Sequence, residues 1–342
     1  MKTNQIVILA AAVLVLACIG LYALSDKETG GLNNSSSISD SDYYPVTVTT
    51  SIGGVEYQQT FTKKPERIVS MWATNLELLH YFGLEDKIVG AYAVENYVAL
   101  NEDLQDEYDA FDKMPMEARS IEVVRSLDPD IIIGWSSSFN DGAGSLGSVE
   151  SWNNYGINCF ATNRPSASVE DYIKLLENIG IIFNMQDVSN QKIAELNAKL
   201  ENVKEKTSKL NESEKVTALV IEAGSADGGA GHFVYGSKFL TGDLVKQAGG
   251  INLFDGSMEA LTSEKIASYD PDIIFIMAGD GLNPYEIDEA VTMFKTDPAF
   301  ASMTDNVVAF RFNELYMGGI LSDTIIDRMF EAMYPEFASE SA

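Results

Sequence analysis

The phrase Leu127-Asp128-Pro129-Asp130-Ile131-Ile132-Ile133-Gly134-Trp135 returns about 140 residues later as Tyr269-Asp270-Pro271-Asp272-Ile273-Ile274-Phe275-Ile276-Met277. A short helical phrase precedes each copy, Ile121-Glu122-Val123-Val124 in the first and Ser263-Glu264-Lys265-Ile266 in the second. Proline stops the helix and the flanking aspartates suit a turn. The unbroken apolar run that follows predicts a strand buried on both faces, as in a parallel sheet covered by helices. One helix-turn-strand unit used twice predicts two similar α/β lobes, and two lobes predict a cleft.

At 342 residues the chain has room for two such lobes and additional segments. Its formal net charge of -28 repels nucleic-acid phosphates and anionic lipid headgroups, which excludes a nucleic-acid partner. The same charge suits a well-solvated surface or a cationic ligand.

The amino terminus adds a location. Residues 6–24 are 19 consecutive residues without a charge, enough helix to cross a bilayer core of roughly 30 Å. Lys2 precedes the stretch and Asp26 and Glu28 follow it, so the positive end stays inside and the bulk of the chain lies on the outer face of the cytoplasmic membrane. Three processing outcomes are open: an uncleaved anchor, lipidation at Cys18 within Val15-Leu16-Ala17-Cys18, or simple cleavage. All three leave the same domain outside. Beyond this segment the one cysteine is Cys159, in the strand-like Ile157-Asn158-Cys159-Phe160-Ala161, where core packing explains it.

Residues 1–24 are thus read as a membrane anchor or signal segment and 25–42, made of Ser, Asn, Gly and Asp, as a flexible linker. Asn33, Asn34 and Asn211 stand in Asn-x-Ser sequences open to glycosylation of an exported chain. The amino-terminal α/β lobe occupies 43–166. It opens with a hairpin, Val46 to Ser51 and Val55 to Phe61, turned by Gly53-Gly54. Residues 167–212 form a helical segment with a capping box at Ser168 and a rod from about Gln186 to Leu210. Its roughly 24 residues at 1.5 Å each, about 36 Å, reach from one lobe to the other. The carboxyl-terminal α/β lobe occupies 213–342.

Enzyme signatures are missing from this sequence. It holds two histidines, His80 and His232, with no His-Glu-x-x-His, no cysteine pair at metal spacing and no Gly-x-Ser-x-Gly elbow. A transporter of bare zinc or manganese would need a cluster of His and carboxylates, which is missing as well. Gly231 and Gly236 have P-loop spacing, but Ser237-Lys238 reverses the required order of lysine and hydroxyl.

Several phrases, in order from about residue 45 to 335, resemble the substrate-binding proteins of ABC importers for siderophores, haem and cobalamin. They are Pro65-Glu66-Arg67-Ile68-Val69-Ser70, Leu84-Glu85-Asp86-Lys87-Ile88-Val89-Gly90, both Asp-Pro-Asp strands, Tyr235-Gly236-Ser237, Ala248-Gly249-Gly250-Ile251-Asn252-Leu253-Phe254 and Met317-Gly318-Gly319. The resemblance implies two Rossmann-like lobes bridged by one long helix, with a bulky metal chelate held between them. It also implies no covalent chemistry, no resident cofactor or metal, and a monomer that hands its ligand to an ABC permease and its ATPase. In a parallel sheet the ligand lies beyond the carboxyl ends of the strands. That geometry selects Trp72, Tyr92, Tyr97 and Trp135 in the first lobe. In the second it selects His232, Phe233 and Tyr235 in a long loop after Glu222, then Asp280, Arg311, Phe312 and Tyr316. Aromatic faces would cover the chelate, and Arg311 would pair with a carboxylate or an oxyanion. For permease docking the resemblance implies Glu264 in the second lobe and Glu150 or Asp141 in the first. A surface α/β hydrolase or chelate-processing enzyme working through His232 and Asp280 is the alternative.

Overall fold

The duplicated phrase adopts the same local structure in both places. In a computed structural model, which describes residues 39–93, 106, 109, 113–115, 120–140, 145–162, 168–224, 231–279, 285–300, 306–317 and 319–338, each copy begins as a short helix, Ile121–Ser126 or Ser263–Ala267. A hydroxyl caps each helix, Ser120 accepting from the Val123 amide and Thr262 from that of Lys265. Asp128 and Asp270 then turn the chain in the left-handed region, with φ of 49° and 52°. The second aspartate of each copy pins the mouth of the neighbouring strand: Asp130 Oδ2 accepts from the Glu66 amide and Asp272 Oδ2 from the Thr217 amide, both at 2.8 Å.

Two sheets follow from the two copies. In the first, β3 (Ile68–Met71), β4 (Ile88–Ala93), β5 (Lys113–Pro115), β6 (Ile131–Trp135) and β7 (Asn158–Thr162) lie in the order β5-β4-β3-β6-β7, all parallel. In the second, β8 (Thr217–Glu222), β9 (Gly231–Tyr235), β11 (Met258–Thr262), β12 (Ile273–Ala278) and β13 (Val307–Arg311) run β11-β9-β8-β12-β13, with β10 (Ile251–Asn252) also paired to β8. The two repeat strands occupy equivalent places. The chain leaves β3 to one side and returns on the other at β6, and it does the same at β8 and β12.

The predicted hairpin is present as β1 (Val46–Ile52) and β2 (Val55–Phe61), with Gly53 and Gly54 at φ of 60° and 83°. It covers the edge of the first sheet without extending it. Gln59 Oε1 accepts from the Cys159 amide and Thr50 Oγ1 from the Ala161 amide, so side chains satisfy the outward donors of β7. Gln59, Thr50 and Cys159 are all buried, the last as expected.

Between the sheets the chain forms α1 (Ala73–Tyr81), α2 (Val169–Phe183), α3 (Gln186–Thr207), α4 (Leu240–Gln247), α5 (Phe312–Met317) and α6 (Ser322–Met333). The capping box expected at Ser168 opens α2. The rod is α3, three residues shorter than predicted: 22 residues, or about 33 Å. It turns sharply out of α2 because Asn184 takes φ of 52° and Gly180 lies so close to Ser189 that a Cβ would come within 2.3 Å of its hydroxyl. Helix α3 packs on α2 and on α6. Lys192, 11% exposed, bonds Asp323 of α6 at 3.0 Å, and Lys199 pairs with Asp327. The stretch read as a linker ends in a helix, Asp40–Tyr43. Tyr43 and Tyr44 fasten it by donating to the carbonyl oxygens of Ile181 and Ile182.

One apolar cluster joins the inner faces of both sheets through these helices. It contains Ile68, Ile133 and Phe160 from the first, Val220, Phe275 and Phe310 from the second, and Leu176, Leu196 and Met329 from the helices. Separate clusters back the outer faces.

Lys192→Met should cost about 3 kcal/mol in urea denaturation, because it leaves the largely buried Asp323 carboxylate without its partner. Adding Asp323→Leu should recover most of that loss.

Candidate functional site

Trp72 follows β3 and Trp135 ends β6, at the carboxyl ends of the adjacent strands between which the first sheet reverses its order. Crevices in doubly wound sheets open at such points. The two indoles are stacked, with ring centroids 4.3 Å apart and planes 13° from parallel. Trp72 Nε1 donates to Ser138 Oγ at 3.4 Å, and its backbone amide donates to the Tyr92 carbonyl at 2.8 Å. Its φ of 78° is unusual for a residue with a large side chain. Backbone strain of this kind costs on the order of 1–3 kcal/mol and persists where the surroundings dictate the conformation. Here the indole stack and the Tyr92 contact hold it.

The equivalent reversal of the second sheet lies between β8 and β12, and Glu222 ends β8 there. Strand alternation sends Glu222 to the same face as Val220, toward the inner cluster. Its Oε2 accepts from Tyr235 Oη at 2.6 Å. Burial raises the Glu222 carboxyl above its ordinary range, against the lowering effect of the tyrosine hydrogen bond, and the Tyr235 hydroxyl is likewise pushed up, first by burial and then by the neighbouring charge. Tyr235 meets Phe239 and Tyr316 edge-on at 5.3 and 5.8 Å, and Tyr316 stacks on Phe312 at 4.8 Å.

The aromatic residues selected from the sequence therefore gather as two groups, Trp72 with Trp135 and Tyr235 with Phe312 and Tyr316. Helix α1, directly after Trp72, packs on the turn Gly319–Leu321 just beyond Tyr316. Phe233 is half-buried against the inner cluster. Tyr92 is fully buried in the outer cluster of the first sheet, beside Val124 and Trp152. The alternation that turns Phe310 inward puts Arg311 on the opposite face, with Val307. Tyr97, Asp280 and Asp141 lie outside the described residues.

The long loop expected to carry His232, Phe233 and Tyr235 is instead β9, paired antiparallel with β8 and β11. Its alternation separates His232 from the other two. Tyr235 turns inward, whereas His232 turns outward and is buried beside Phe294 and Phe300, with ring centroids 4.8 and 6.4 Å away. Its Nε2 is 3.5 Å from Ser263 Oγ, and burial lowers its pKa. Among the described residues no cluster of three metal-ligating side chains is present. A groove of about 430 Å³ lined by Lys204, Lys215 and Lys246 opens near the amino ends of β8 and β10, at the far end of the sheet from Glu222.

Glu264 is exposed in the first turn of its repeat helix, seven residues before Pro271. Glu122, missed in the sequence reading, stands seven residues before Pro129 at the same place in the other copy and is also exposed. Aligning the two repeats through their capping helices, and not only through Asp-Pro-Asp, would have found it. Glu150 is exposed in a different helix, Val149–Asn154.

Because the folded state raises the Glu222 pKa, the ionised carboxylate lowers stability above that pKa. The penalty disappears below the unfolded value, where both states are protonated. Glu222→Gln should therefore melt at a higher temperature than the parent near pH 8, by a margin that shrinks to nothing near pH 4. Thermal unfolding across that range measures it.

A family model described as periplasmic binding protein matches residues 68–305. A curated relative, an uncharacterized ABC transporter substrate-binding lipoprotein of Bacillus subtilis, is 24% identical over 209 residues, 61% of this chain and 62% of the relative's length. That match thus spans about three-fifths of the relative. A periplasmic binding protein of Veillonella parvula has the same fold at 22% identity, with a TM-score of 0.74 over 86% of this chain and 93% of that one. The structure of an ABC-type Fe3+-hydroxamate transport system from Saccharomonospora viridis is similar at 21% identity, with a TM-score of 0.63 over 84% and 99%. With more than half of its length matched by that model, this chain belongs to the periplasmic binding protein family.

Proposed function

We propose that the chain is an extracytoplasmic solute-binding protein that captures a metal chelate, an iron-siderophore, haem or a corrinoid, and delivers it to an ABC permease and its ATPase. The stacked pair Trp72–Trp135 at the β3/β6 reversal carries this reading. Trp135 is buried beneath half-buried Trp72, so the stacked pair would offer a single flat apolar surface to a bulky ligand, and the aromatic group at the carboxyl end of the second sheet would form the opposing wall. Helix α3, sharing a core with both sheets, would act as the single bridge between lobes and permit only modest closure. The lipoprotein relative supports a place on the outer face of the cytoplasmic membrane, held through residues 6–24 or Cys18. Among the described residues no helix is long and apolar enough to cross a membrane. The enzymatic alternative needed His232 at the cleft, and its ring packs on the other face of the sheet from Glu222.

The repeat register supports Glu122 and Glu264 as the paired docking carboxylates, with Glu122 in place of Glu150 or Asp141. Each sits at the start of a helix that runs toward the amino end of its strand, so both head back toward the edge where the Trp72–Trp135 pair and Glu222 lie.

Thermal unfolding of the full chain in detergent, with ferric siderophores, haem, cobalamin and a sugar control, tests capture. A ligand at about 100 times its dissociation constant should add roughly 2.7 kcal/mol of stability. Trp135→Ala should remove most of that gain, and a chain unmoved by every chelate would overturn the reading. For docking, Glu122→Arg and Glu264→Arg should each abolish ligand-stimulated ATPase activity of the cognate transporter while leaving chelate affinity within about twofold, as expected of exposed charges outside the ligand site.

A further inference from the structure

We propose that Glu222 is the charge-selecting contact of the cleft, and that the solute captured there carries a cationic nitrogen, an ammonium or protonated amine, beside its metal-binding core. This rests on the solute-binding reading above.

Three observations converge on that residue. Glu222 ends the strand at which the second sheet reverses order, the counterpart of the position that presents Trp72 in the first. It is oriented, since Tyr235 Oη holds Oε2 at 2.6 Å, and a fixed carboxylate loses little freedom when it binds. It is also uncompensated: among the described residues no Lys or Arg pairs with it, and Tyr235 is its sole hydrogen-bond partner, which leaves Oε1 available.

A partly buried carboxylate without a cation is unfavourable in the empty protein and is relieved by a positive charge brought from outside. The neighbouring rings strengthen that preference. Phe239 and Tyr316 pack around Tyr235, and aromatic faces attract ammonium groups while offering nothing to an anion. An anionic chelate would meet Glu222 as a like charge. The overall charge of -28 acts in the same direction at longer range, raising the local concentration of cationic solutes.

The test uses the full chain in detergent and two ferric trihydroxamates that differ at one position, one with a pendant ammonium and the other with that amine acetylated. An anionic ferric tris-catecholate and haem complete the set, and quenching of tryptophan fluorescence reports binding. The parent should bind the ammonium chelate roughly ten- to hundredfold more tightly than its acetylated form, the range expected for a hydrogen bond between charged groups. Glu222→Gln, which keeps an acceptor for Tyr235, should erase that ratio by weakening the ammonium chelate alone. Tyr235→Phe, which frees the carboxylate, should reduce it partially. Trp135→Ala should weaken both hydroxamates and leave the ratio intact.

Equal binding of the two hydroxamates, a preference for the catecholate or haem, or an unchanged ratio in Glu222→Gln would each overturn the proposal while leaving chelate capture standing. Failure of the parent to bind any of the four, and cobalamin as well, would remove both. The ratio in the parent decides the matter even if a variant fails to fold.

Discussion

The inner faces of the two sheets are closed by the same apolar cluster, and the positions of both halves of the site depend on that shared packing. Each sheet could have its own core and a flexible connection to the other. Here α2, α3, α4 and α6 fill the space between them, and residues from both sheets and from these helices touch within one cluster. Opening such an interface would expose apolar surface at about 25 cal/mol per Å², so large hinge motions are strongly opposed. The buried Lys192–Asp323 pair adds direction to this packing more than strength. It requires α3 to meet α6 in one register, and Tyr81 of α1 lies alongside the same lysine, with its ring centroid 5.8 Å from Nζ.

A frame of this kind explains how Trp72 can keep an unfavourable backbone. Its amide bonds β4 through the Tyr92 carbonyl, its ring lies on Trp135, and the helix it leads into packs on the second half of the chain. No single one of these contacts would hold a tryptophan at φ of 78°, but together they leave it no relaxed alternative. The second half achieves the equivalent with a hydrogen bond, by which Tyr235 holds Glu222 from the adjacent strand.

Much of this architecture was legible because the signals were local and repeated. Asp128-Pro129-Asp130 and Asp270-Pro271-Asp272 specify two turns, two buried strands and their equivalence from sequence alone. Gly53-Gly54 located a hairpin and Ser168 a helix start for similarly local reasons. The site was less legible, since alternation within a strand assigns residues to faces only once the strand is recognised. Gly-Gly-Ala-Gly at 228–231 disguised β9 as loop, so His232 and Tyr235 were grouped although they point to opposite faces. Glu222 escaped notice because it reads as the polar end of an apolar run. Only the sheet order reveals that this end lies at a reversal point.

If the proposed capture holds, a frame that resists large movement makes selectivity a matter of what the fixed walls offer and not of closure around whatever enters. The two walls differ in kind. The first supplies stacked indoles that are neutral and flat and offer area more than charge contrast. The second places a half-buried carboxylate among phenol and phenyl rings, and it is sensitive to sign. A carboxylate already held in place loses little freedom on binding, so more of its contact energy appears as affinity. The same rigidity denies the site any means of relieving a wrongly charged guest by moving Glu222 into water, because Tyr235 and the strand pairing hold the carboxylate in place. Shape recognition on one wall and charge recognition on the other could then be tuned independently, since substitutions at Trp72 or Trp135 and at Glu222 act on separate sheets.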